Sequence, residues 1–419
     1  MAERVAIVQR INPGERDNLD ELRELCKTAG YEVVYQLKQV RRPHPKYNIG
    51  PGKLGELKDA VKRLRISKVI FENEVKPVQE YNLVKTLKVP VMTRTQLILE
   101  IFSMHAHSKE AKLQIKLAEL KYELSRAKEK VRLAKMGEQP GFHGLGAYEA
   151  DVYYDEVHRR VVSINRKLED IKRHMDLMRL ERRRFGLPLI SLAGYTNAGK
   201  STLFNALTHE EVEVNDQLFT TLTPTTRITR FNGKPVFLSD TVGFIKNLPT
   251  LLVEAFYATL REIALSNLIL LVADFSEPLD QVREKVETSL DTLSSIGAQD
   301  VPTLIVLNKI DRLDGVDLEE RVSELDVRNP YVMISAKYGW GLRELEAKAS
   351  EMMGGFIKVE ATLPYDGRTP KILNELYGRA KIINVRYGED YVKVDAEAPP
   401  YLAEKLRRLS VDGGFKVVG

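Results

Sequence analysis

Eight residues at positions 194–201 read Gly-Tyr-Thr-Asn-Ala-Gly-Lys-Ser, and they leave few folds open to the chain. They fit the pattern G-x-x-x-x-G-K-S, and they lie between an apolar run at 189–192 and a helix-like stretch at 202–207. Glycines let such a loop curl so that backbone N–H groups point toward phosphate oxygens, and the helix N-terminus adds its dipole. The sequence therefore predicts a strand, a phosphate-binding loop and a helix, in that order.

Two further segments supply the groups that a bound triphosphate requires. Lys200 places a positive charge at the terminal phosphates, and the Ser201 hydroxyl can ligate Mg²⁺. Asp240 follows a short apolar run and would hold Mg²⁺ through water, while the N–H of Gly243 approaches the γ-phosphate. Thr221 lies in a threonine-rich stretch and is the candidate for a second hydroxyl ligand. We predict Lys200, Thr221 and Gly243 as catalytic residues, and Ser201, Thr221 and Asp240 as metal ligands.

The identity of the base is predicted from two later motifs. Asn308-Lys-Ile-Asp311 follows a buried strand, and the Asp311 carboxylate has only acceptors, which match the hydrogens on guanine N1 and N2. Ser335-Ala-Lys337 follows the next strand, where backbone N–H groups are expected to bond the guanine carbonyl. Trp340, shortly after it, is interpreted as a packing residue rather than one that stacks on a base. Adenine offers no matching pair of hydrogens, so the prediction is GTP.

We therefore expect an enzyme that hydrolyses GTP to GDP and phosphate, with Mg²⁺ as cofactor. The residues predicted to contact the nucleotide are Gly194, Tyr195, Thr196, Asn197, Ala198, Gly199, Lys200, Ser201, Thr202, Phe219, Thr220, Thr221, Leu222, Thr223, Asp240, Thr241, Val242, Gly243, Asn308, Lys309, Ile310, Asp311, Ser335, Ala336 and Lys337.

Strand-like and helix-like runs alternate along most of the chain, which predicts the α/β class with parallel sheets. We predict an N-terminal α/β domain at 1–92, a helical domain at 93–186, a doubly wound sheet at 187–357 and a small C-terminal α/β domain at 358–419. The predicted strands lie at 5–8, 33–37, 69–71, 189–192, 236–238, 268–272, 304–307, 332–334, 382–385 and 391–394.

Two segments, 109–135 and 157–180, carry apolar residues at alternating spacings of four and three, which is typical of coiled coils. Joined by a glycine-rich loop, they are expected to form an antiparallel hairpin. The first contains nine lysines and arginines against four glutamates, and 157–185 contains ten against four acids. Two interpretations stay open: a solvated coiled coil of mixed charge, and a basic arm that faces a polyanion.

Composition excludes several other classes of protein. Cys26 is the single cysteine, so an internal disulfide is excluded and a reducing compartment fits best. Glu3 and Arg4 stand where a signal peptide needs an apolar core, and apolar runs such as Leu268–Ala273 fall short of the ~20 residues of a membrane span. We expect a cytoplasmic monomer without membrane association. The net charge of +5 does not by itself indicate a partner.

The motifs GYTNAGKST at 194–202, FTTLT at 219–223, DTVGF at 240–244 and NKID at 308–311 resemble those of the HflX family, within the translation-factor-like P-loop GTPases. The segment 94–102 is similar to that family as well. The resemblance implies binding to the ribosome, chiefly to the large subunit and its rRNA, and the splitting or rescue of ribosomes under stress. It covers most of the chain.

The sequence departs from related proteins at two places. The hairpin loop reads Gly-Phe-His-Gly-Leu-Gly-Ala-Tyr-Glu at 141–149, where the family usually carries Arg-Gly-Pro-Gly-Glu. Phe244 stands where Ras-like GTPases have a glutamine that orients water, so we expect slow intrinsic hydrolysis, with another group or the ribosome completing the site. Asn197 matches a position that ligates K⁺ in some related GTPases, and the alternative is a loop-stabilising side chain.

Two other functions remain open from the sequence alone. One is a signalling GTPase whose coiled-coil arm binds a protein. The other is an ATP-dependent RNA remodeller that works through residues 1–92, where the glycine-rich stretch Tyr47–Lys53 begins a helix.

Overall fold

The computed structural model describes residues 2–14, 17–106, 108–135, 147–208, 225–241, 243–244, 262–411 and 413–418. These residues form two compact units, one up to Ile171 and the other from Lys172 onward. The strands are β1 (Glu3–Ile11), β2 (Tyr31–Val40), β3 (Lys68–Phe71), β4 (Val91–Thr93), β5 (Leu189–Gly194), β6 (Thr225–Phe231), β7 (Lys234–Asp240), β8 (Leu268–Asp274), β9 (Thr303–Asn308), β10 (Tyr331–Met333), β11 (Ile357–Pro364), β12 (Lys381–Tyr387), β13 (Tyr391–Ala398) and β14 (Phe415–Val417).

The helices are α1 (Leu19–Thr28), α2 (Pro51–Leu64), α3 (Pro77–Leu87), α4 (Arg94–His105), α5 (Lys109–Lys135), α6 (Ala147–Phe185), α7 (Lys200–Thr208), α8 (Leu279–Ser295), α9 (Leu318–Leu325), α10 (Leu342–Met352), α11 (Thr369–Arg379) and α12 (Pro400–Leu409). In the described part of the chain, no helix is both long enough and apolar enough to cross a membrane.

The first unit contains a four-stranded parallel sheet in the order β2-β1-β3-β4. Strand β1 is buried from Val5 to Ile11, as expected for a parallel strand that is covered on both faces. The predicted strands in this part of the chain are all present, each longer than its apolar run. The sequence analysis missed β4, because three residues are too few to show an alternating pattern.

Helices α5 and α6 follow this sheet, and α5 has the span that the apolar spacing predicts. Their predicted seam positions form one apolar cluster, which contains Leu117, Leu120, Val157, Val161 and Ile164. Helix α6 begins at Ala147, well before the predicted segment. The antiparallel sense of the pair stays a prediction, and residues 136–146 of the connecting loop lie outside the described residues.

The second unit is built on a six-stranded sheet in the order β10-β9-β8-β5-β7-β6. All neighbouring strands are parallel except β6, which pairs antiparallel with β7. The α/β class predicted for this region is confirmed, with a mixed and mainly parallel sheet. Strand β6 was not predicted, because its polar sequence and largely exposed edge position give no apolar run. Strand β5 lies in the interior of the sheet, between β8 and β7, so the loop that follows it starts from a rigid, buried strand.

The last part of the second unit carries an antiparallel sheet in the order β12-β13-β11-β14. Its chain order of strands and helices is that of the split βαβ motif. Every second residue of β13 is buried, which places four apolar side chains in the core of this part. Arg230 of β6 donates to the carbonyl oxygens of Tyr377 and Ala380, and Lys234 forms an ion pair with Glu397 at 2.9 Å. These contacts join the antiparallel sheet to the β6–β7 edge.

Candidate functional site

The loop 194–199 leaves the carboxyl end of β5 and enters α7 at Lys200. Three of its residues have positive φ angles: Gly194 at 134°, Asn197 at 61° and Gly199 at 95°. A Cβ atom on Gly194 would lie 2.2 Å from the carbonyl oxygen of Val272 on the neighbouring strand. Glycine is therefore required at 194 for backbone conformation and for space.

Lys200 is buried at the start of α7. Its Nζ donates to the carbonyl oxygen of Tyr195 at 2.9 Å. Burial lowers the pKa of Lys200 to about 8, and the carboxylate of Asp240 only partly offsets this effect. A cation held in this desolvated position would gain much from a bound anion, because a triphosphate would replace the lost solvation.

The structure brings Ser201 and Asp240 together. These are the two predicted metal ligands that lie among the described residues. Ser201 Oγ donates to Oδ2 of Asp240 at 3.0 Å, and Asp240 is buried at the end of β7. A hydroxyl and a carboxylate are the hard oxygen donors that Mg²⁺ prefers, so the residues present fit this ion. The adjacent Thr241 serves differently, since its Oγ1 donates to the carbonyl oxygen of Leu192 at 2.6 Å and anchors the segment to β5.

The segment after Asp240 is hydrogen-bonded directly to the phosphate loop. Thr196 donates its N–H to the carbonyl oxygen of Phe244 at 2.8 Å, and Phe244 donates its N–H to the carbonyl oxygen of Gly194 at 2.9 Å. A Cβ atom on Gly243 would lie 2.8 Å from Thr196 Cγ2 and 2.9 Å from Lys200 Nζ, so any other residue would have to displace these side chains. The sequence analysis considered only the apolar ring of Phe244, and no local pattern indicates that its backbone pairs with the loop.

Asn308, at the end of β9, links the phosphate loop to the Ser335 segment. Its Nδ2 donates to the carbonyl oxygen of Ala198 at 2.8 Å, and its Oδ1 accepts the N–H of Ala336 at 3.0 Å. Both hydrogen bonds are buried, and Asn308 is 2 % exposed. Asn308 therefore contacts the phosphate loop directly, and the Ala336 N–H is engaged by Asn308 in this structure.

Lys309 reaches back to the phosphate loop from a left-handed backbone conformation. Its Nζ donates to the carbonyl oxygen of Asn197 at 2.7 Å and forms an ion pair with Asp274 at 2.6 Å. The sequence analysis missed Asp274, although an aspartate that directly follows a buried apolar strand was a visible signal.

Asp311 lies in a short 3-10 helix, Ile310–Arg312, and accepts a hydrogen bond from Ser335 Oγ at 2.6 Å. Ile310 donates its N–H to the carbonyl oxygen of Ile334, which ties this turn to the end of β10. Trp340, interpreted from the sequence as a packing residue, is 54 % exposed and packs against Tyr338.

The structure thus brings the loop 194–201, Asp240–Thr241, Gly243, Asn308–Asp311 and Ser335–Lys337 to one edge of the six-stranded sheet. Thr202 lies in the first turn of α7. The predicted residues Phe219, Thr220, Thr221, Leu222, Thr223 and Val242 lie outside the described residues.

Three features define this site as that of a P-loop GTPase. They are the phosphate loop after a buried central strand, the hydroxyl–carboxylate pair of Ser201 and Asp240 beside it, and Asp311 beyond β9. Comparison with family models agrees with this class. Residues 189–309 match the model described as 50S ribosome-binding GTPase, residues 16–103 the GTP-binding GTPase N-terminal region, and residues 105–182 the GTP-binding GTPase middle region.

Similar curated proteins extend over most of the chain. GTPase HflX of Thermococcus kodakarensis is 40% identical over 95% of this chain and 92% of its own length. The Thermofilum pendens protein of the same name is 44% identical over 92% of each chain, and that of Escherichia coli is 37% identical over 84% of each. The chain belongs to the HflX family of GTPases, which bind and hydrolyse GTP.

Among solved structures, the chain is similar to a GTP-binding protein from the hyperthermophilic archaeon Sulfolobus solfataricus in complex with GDP. The two are 30% identical, the match covers 84% of this chain and 98% of that one, and the TM-score is 0.45.

Proposed function

We propose that this GTPase holds GTP at the carboxyl edge of the six-stranded sheet and uses the nucleotide to control association with the large ribosomal subunit. The match of residues 189–309 to a family model described as a 50S ribosome-binding GTPase is the observation that carries the proposal. The output we propose is the splitting or rescue of ribosomes under stress. The four segments 1–92, 93–186, 187–357 and 358–419 would act as its domains.

Each nucleotide group has a matching group in the site. Backbone N–H groups of 194–201 and the Lys200 ammonium would bind the phosphates, and the Asp311 carboxylate would accept the hydrogens of guanine N1 and N2. Mg²⁺ would be held by Ser201 and Asp240, with Thr221 as the further proposed ligand, and would neutralise phosphate charge. The N–H of Gly243 would approach the γ-phosphate.

Hydrolysis in this site depends on a group other than Phe244. The Phe244 ring is apolar and buried, and its backbone is bonded to the phosphate loop in both directions. The ring cannot orient water by hydrogen bonding, so we propose that the ribosome or another segment completes the site. Turnover by the chain alone is then slow.

Exposed basic side chains on α6 support an RNA-facing role for the helical segment, and exposed acidic residues lie among them, with Glu156 ion-paired to Arg160. Arg159, Arg160, Arg166 and Lys167 are exposed on this helix, on turns whose seam residues pack against α5. Exposed cations along one helix suit the phosphate backbone of rRNA, and such contacts weaken as salt rises.

The proposal is tested by sedimentation with ribosomes in GTP, in GDP and in a non-hydrolysable GTP analogue, each at two salt concentrations. We expect nucleotide-dependent pelleting that falls steeply at higher salt. The double variant Arg166→Glu, Lys167→Glu should pellet less, and Arg407→Glu, Arg408→Glu, an adjacent exposed basic pair on α12, serves as its matched control. Pelleting that is insensitive to salt would instead indicate a protein-binding arm, and no pelleting in any nucleotide would contradict the proposal.

A further inference from the structure

Two large aromatic side chains are exposed together on the loop that follows Ser335-Ala-Lys337. The rings of Tyr338 and Trp340 stack with centroids 5.3 Å apart and an interplanar angle of 25°. Tyr338 is 56 % exposed and Trp340 is 54 % exposed. Exposing so much aromatic surface has a cost in water, so a pair of this kind indicates a surface that contacts something else.

The loop holds this pair in a closed turn. Ser335 donates its N–H to the carbonyl oxygen of Trp340 at 3.1 Å, and Gly339 donates its N–H to the carbonyl oxygen of Ser335 at 2.8 Å. Gly341 has a φ of 73°, and a Cβ atom there would lie 2.3 Å from the carbonyl oxygen of Met333. The rings are therefore positioned before any partner binds, which lowers the entropy lost on binding.

The chemistry of the loop favours a nucleic acid strand over a protein. Lys337 Nζ lies 5.1 Å from the centroid of the Tyr338 ring, and the stretch 335–343 adds Arg343 but no acidic residue. All four residues from 337 to 340 are exposed, so the rings stand on a protruding tip. Stacked aromatics beside a cation suit an unpaired base and its phosphate.

We propose that Tyr338 and Trp340 form a stacking platform for an unpaired RNA base, with Lys337 beside the adjoining phosphate. The choice of RNA rests on the proposed ribosome association. The platform shares hydrogen bonds with the base-recognition site, because the Trp340 carbonyl accepts from Ser335 and Ser335 Oγ donates to Asp311.

Trp340 is the single tryptophan of the chain, so its fluorescence reports on the platform alone. The full chain is titrated with a decamer of adenylate, and with an abasic ribose-phosphate decamer of equal charge. We expect the adenylate decamer to quench Trp340 and the abasic decamer to bind about ten-fold more weakly, since stacking on one ring is worth roughly a factor of ten. Tyr338→Ala should weaken adenylate binding similarly, and Tyr387→Ala, an exposed tyrosine on β12, should leave it unchanged.

Each alternative gives a different result. Equal quenching by the two decamers would overturn the proposal in favour of simple charge attraction. If GDP quenches Trp340 and also prevents quenching by the adenylate decamer, the rings contact the bound nucleotide rather than RNA. Ribosome pelleting that requires Trp340 without any quenching by RNA would point to a protein partner. If the adenylate decamer quenches Trp340 but the chain does not pellet with ribosomes, the platform is supported and only the proposed function is contradicted.

Discussion

Replacing Asn308 with alanine tests whether the phosphate loop and the base-recognition loop act as one site. The Asn308 amide is the buried link between them, through Ala198 on one side and Ala336 on the other. Alanine removes both hydrogen bonds and leaves a carbonyl and an N–H without partners in a dry interior.

The size of the effect follows from those two groups. A buried polar group left without its partner costs about 1–3 kcal/mol, so two such groups cost about 2–6 kcal/mol. Domains of this kind are stable by about 5–15 kcal/mol in total. We therefore expect Asn308→Ala to lose a large part of the free energy of unfolding of the second unit, and to lose at least about ten-fold in GDP affinity because the two loops are no longer held together.

The assay combines urea unfolding with calorimetric titration of GDP. Trp340 lies on the linked loop, so its fluorescence follows unfolding of this unit. Asn308→Asp separates the two bonds, because it keeps the acceptor for Ala336 and places an oxygen against the carbonyl of Ala198. The matched control is Asn267→Ala, which removes one bond, to the Leu189 N–H at 2.9 Å, at the opposite edge of the sheet.

We expect the control to cost about 1 kcal/mol or less and to leave GDP affinity unchanged. A loss of GDP affinity below two-fold in Asn308→Ala would refute the linking role. An equal loss in Asn267→Ala would show that general destabilisation, rather than the link, controls nucleotide binding.

Lys200, Asp311 and Gly194 give four further predictions. The pKa of Lys200 is about 8 in the folded chain, against about 10.4 when unfolded, so between these values the unfolded state binds more protons and wild-type stability rises with pH. From pH 8 to 10.5, the free energy of unfolding of the nucleotide-free wild type should rise by on the order of 3 kcal/mol relative to that of Lys200→Ala, as measured by urea unfolding. A difference between the two proteins that does not change with pH would refute burial of the charge. Lys200→Ala should also abolish GTP hydrolysis in a phosphate-release assay. Asp311→Asn should lose GTP affinity and gain affinity for xanthosine triphosphate in competition binding, and unchanged GTP binding would contradict base recognition by this carboxylate. Gly194→Ala should lower Tm more than Gly297→Ala, because both have positive φ but only the former meets Val272, and equal shifts would exclude the clash.

The parts of the site that were predictable are those set by neighbours in the chain. Gly194 and Lys200 belong to one short motif, and its spacing imposes the loop whatever lies around it. The apolar runs that became β5, β8 and β9 were equally visible, because burial on both faces demands continuous apolar sequence. The apolar seam of α5 was also predictable, because packing against one other helix requires apolar residues at a helical period.

Other features depend on residues far apart in sequence, and no local pattern records them. The backbone pairing of Phe244 with the loop uses N–H and carbonyl groups that every residue has. The ion pair of Lys309 with Asp274 joins residues on adjacent strands, and β6 exists because β7 offers it an edge.

By itself, the sequence determined the class of chemistry: a glycine-bounded loop ending in Lys200, with an aspartate at 311 suited to guanine. Only the tertiary structure decided that Asn308 joins the two loops and that Trp340 packs against Tyr338 at an exposed position. The physical reason is the distance along the chain over which each kind of interaction acts. Backbone conformation and residue chemistry act over a few neighbours, whereas burial and hydrogen-bond partners are settled only when distant strands come together in one sheet.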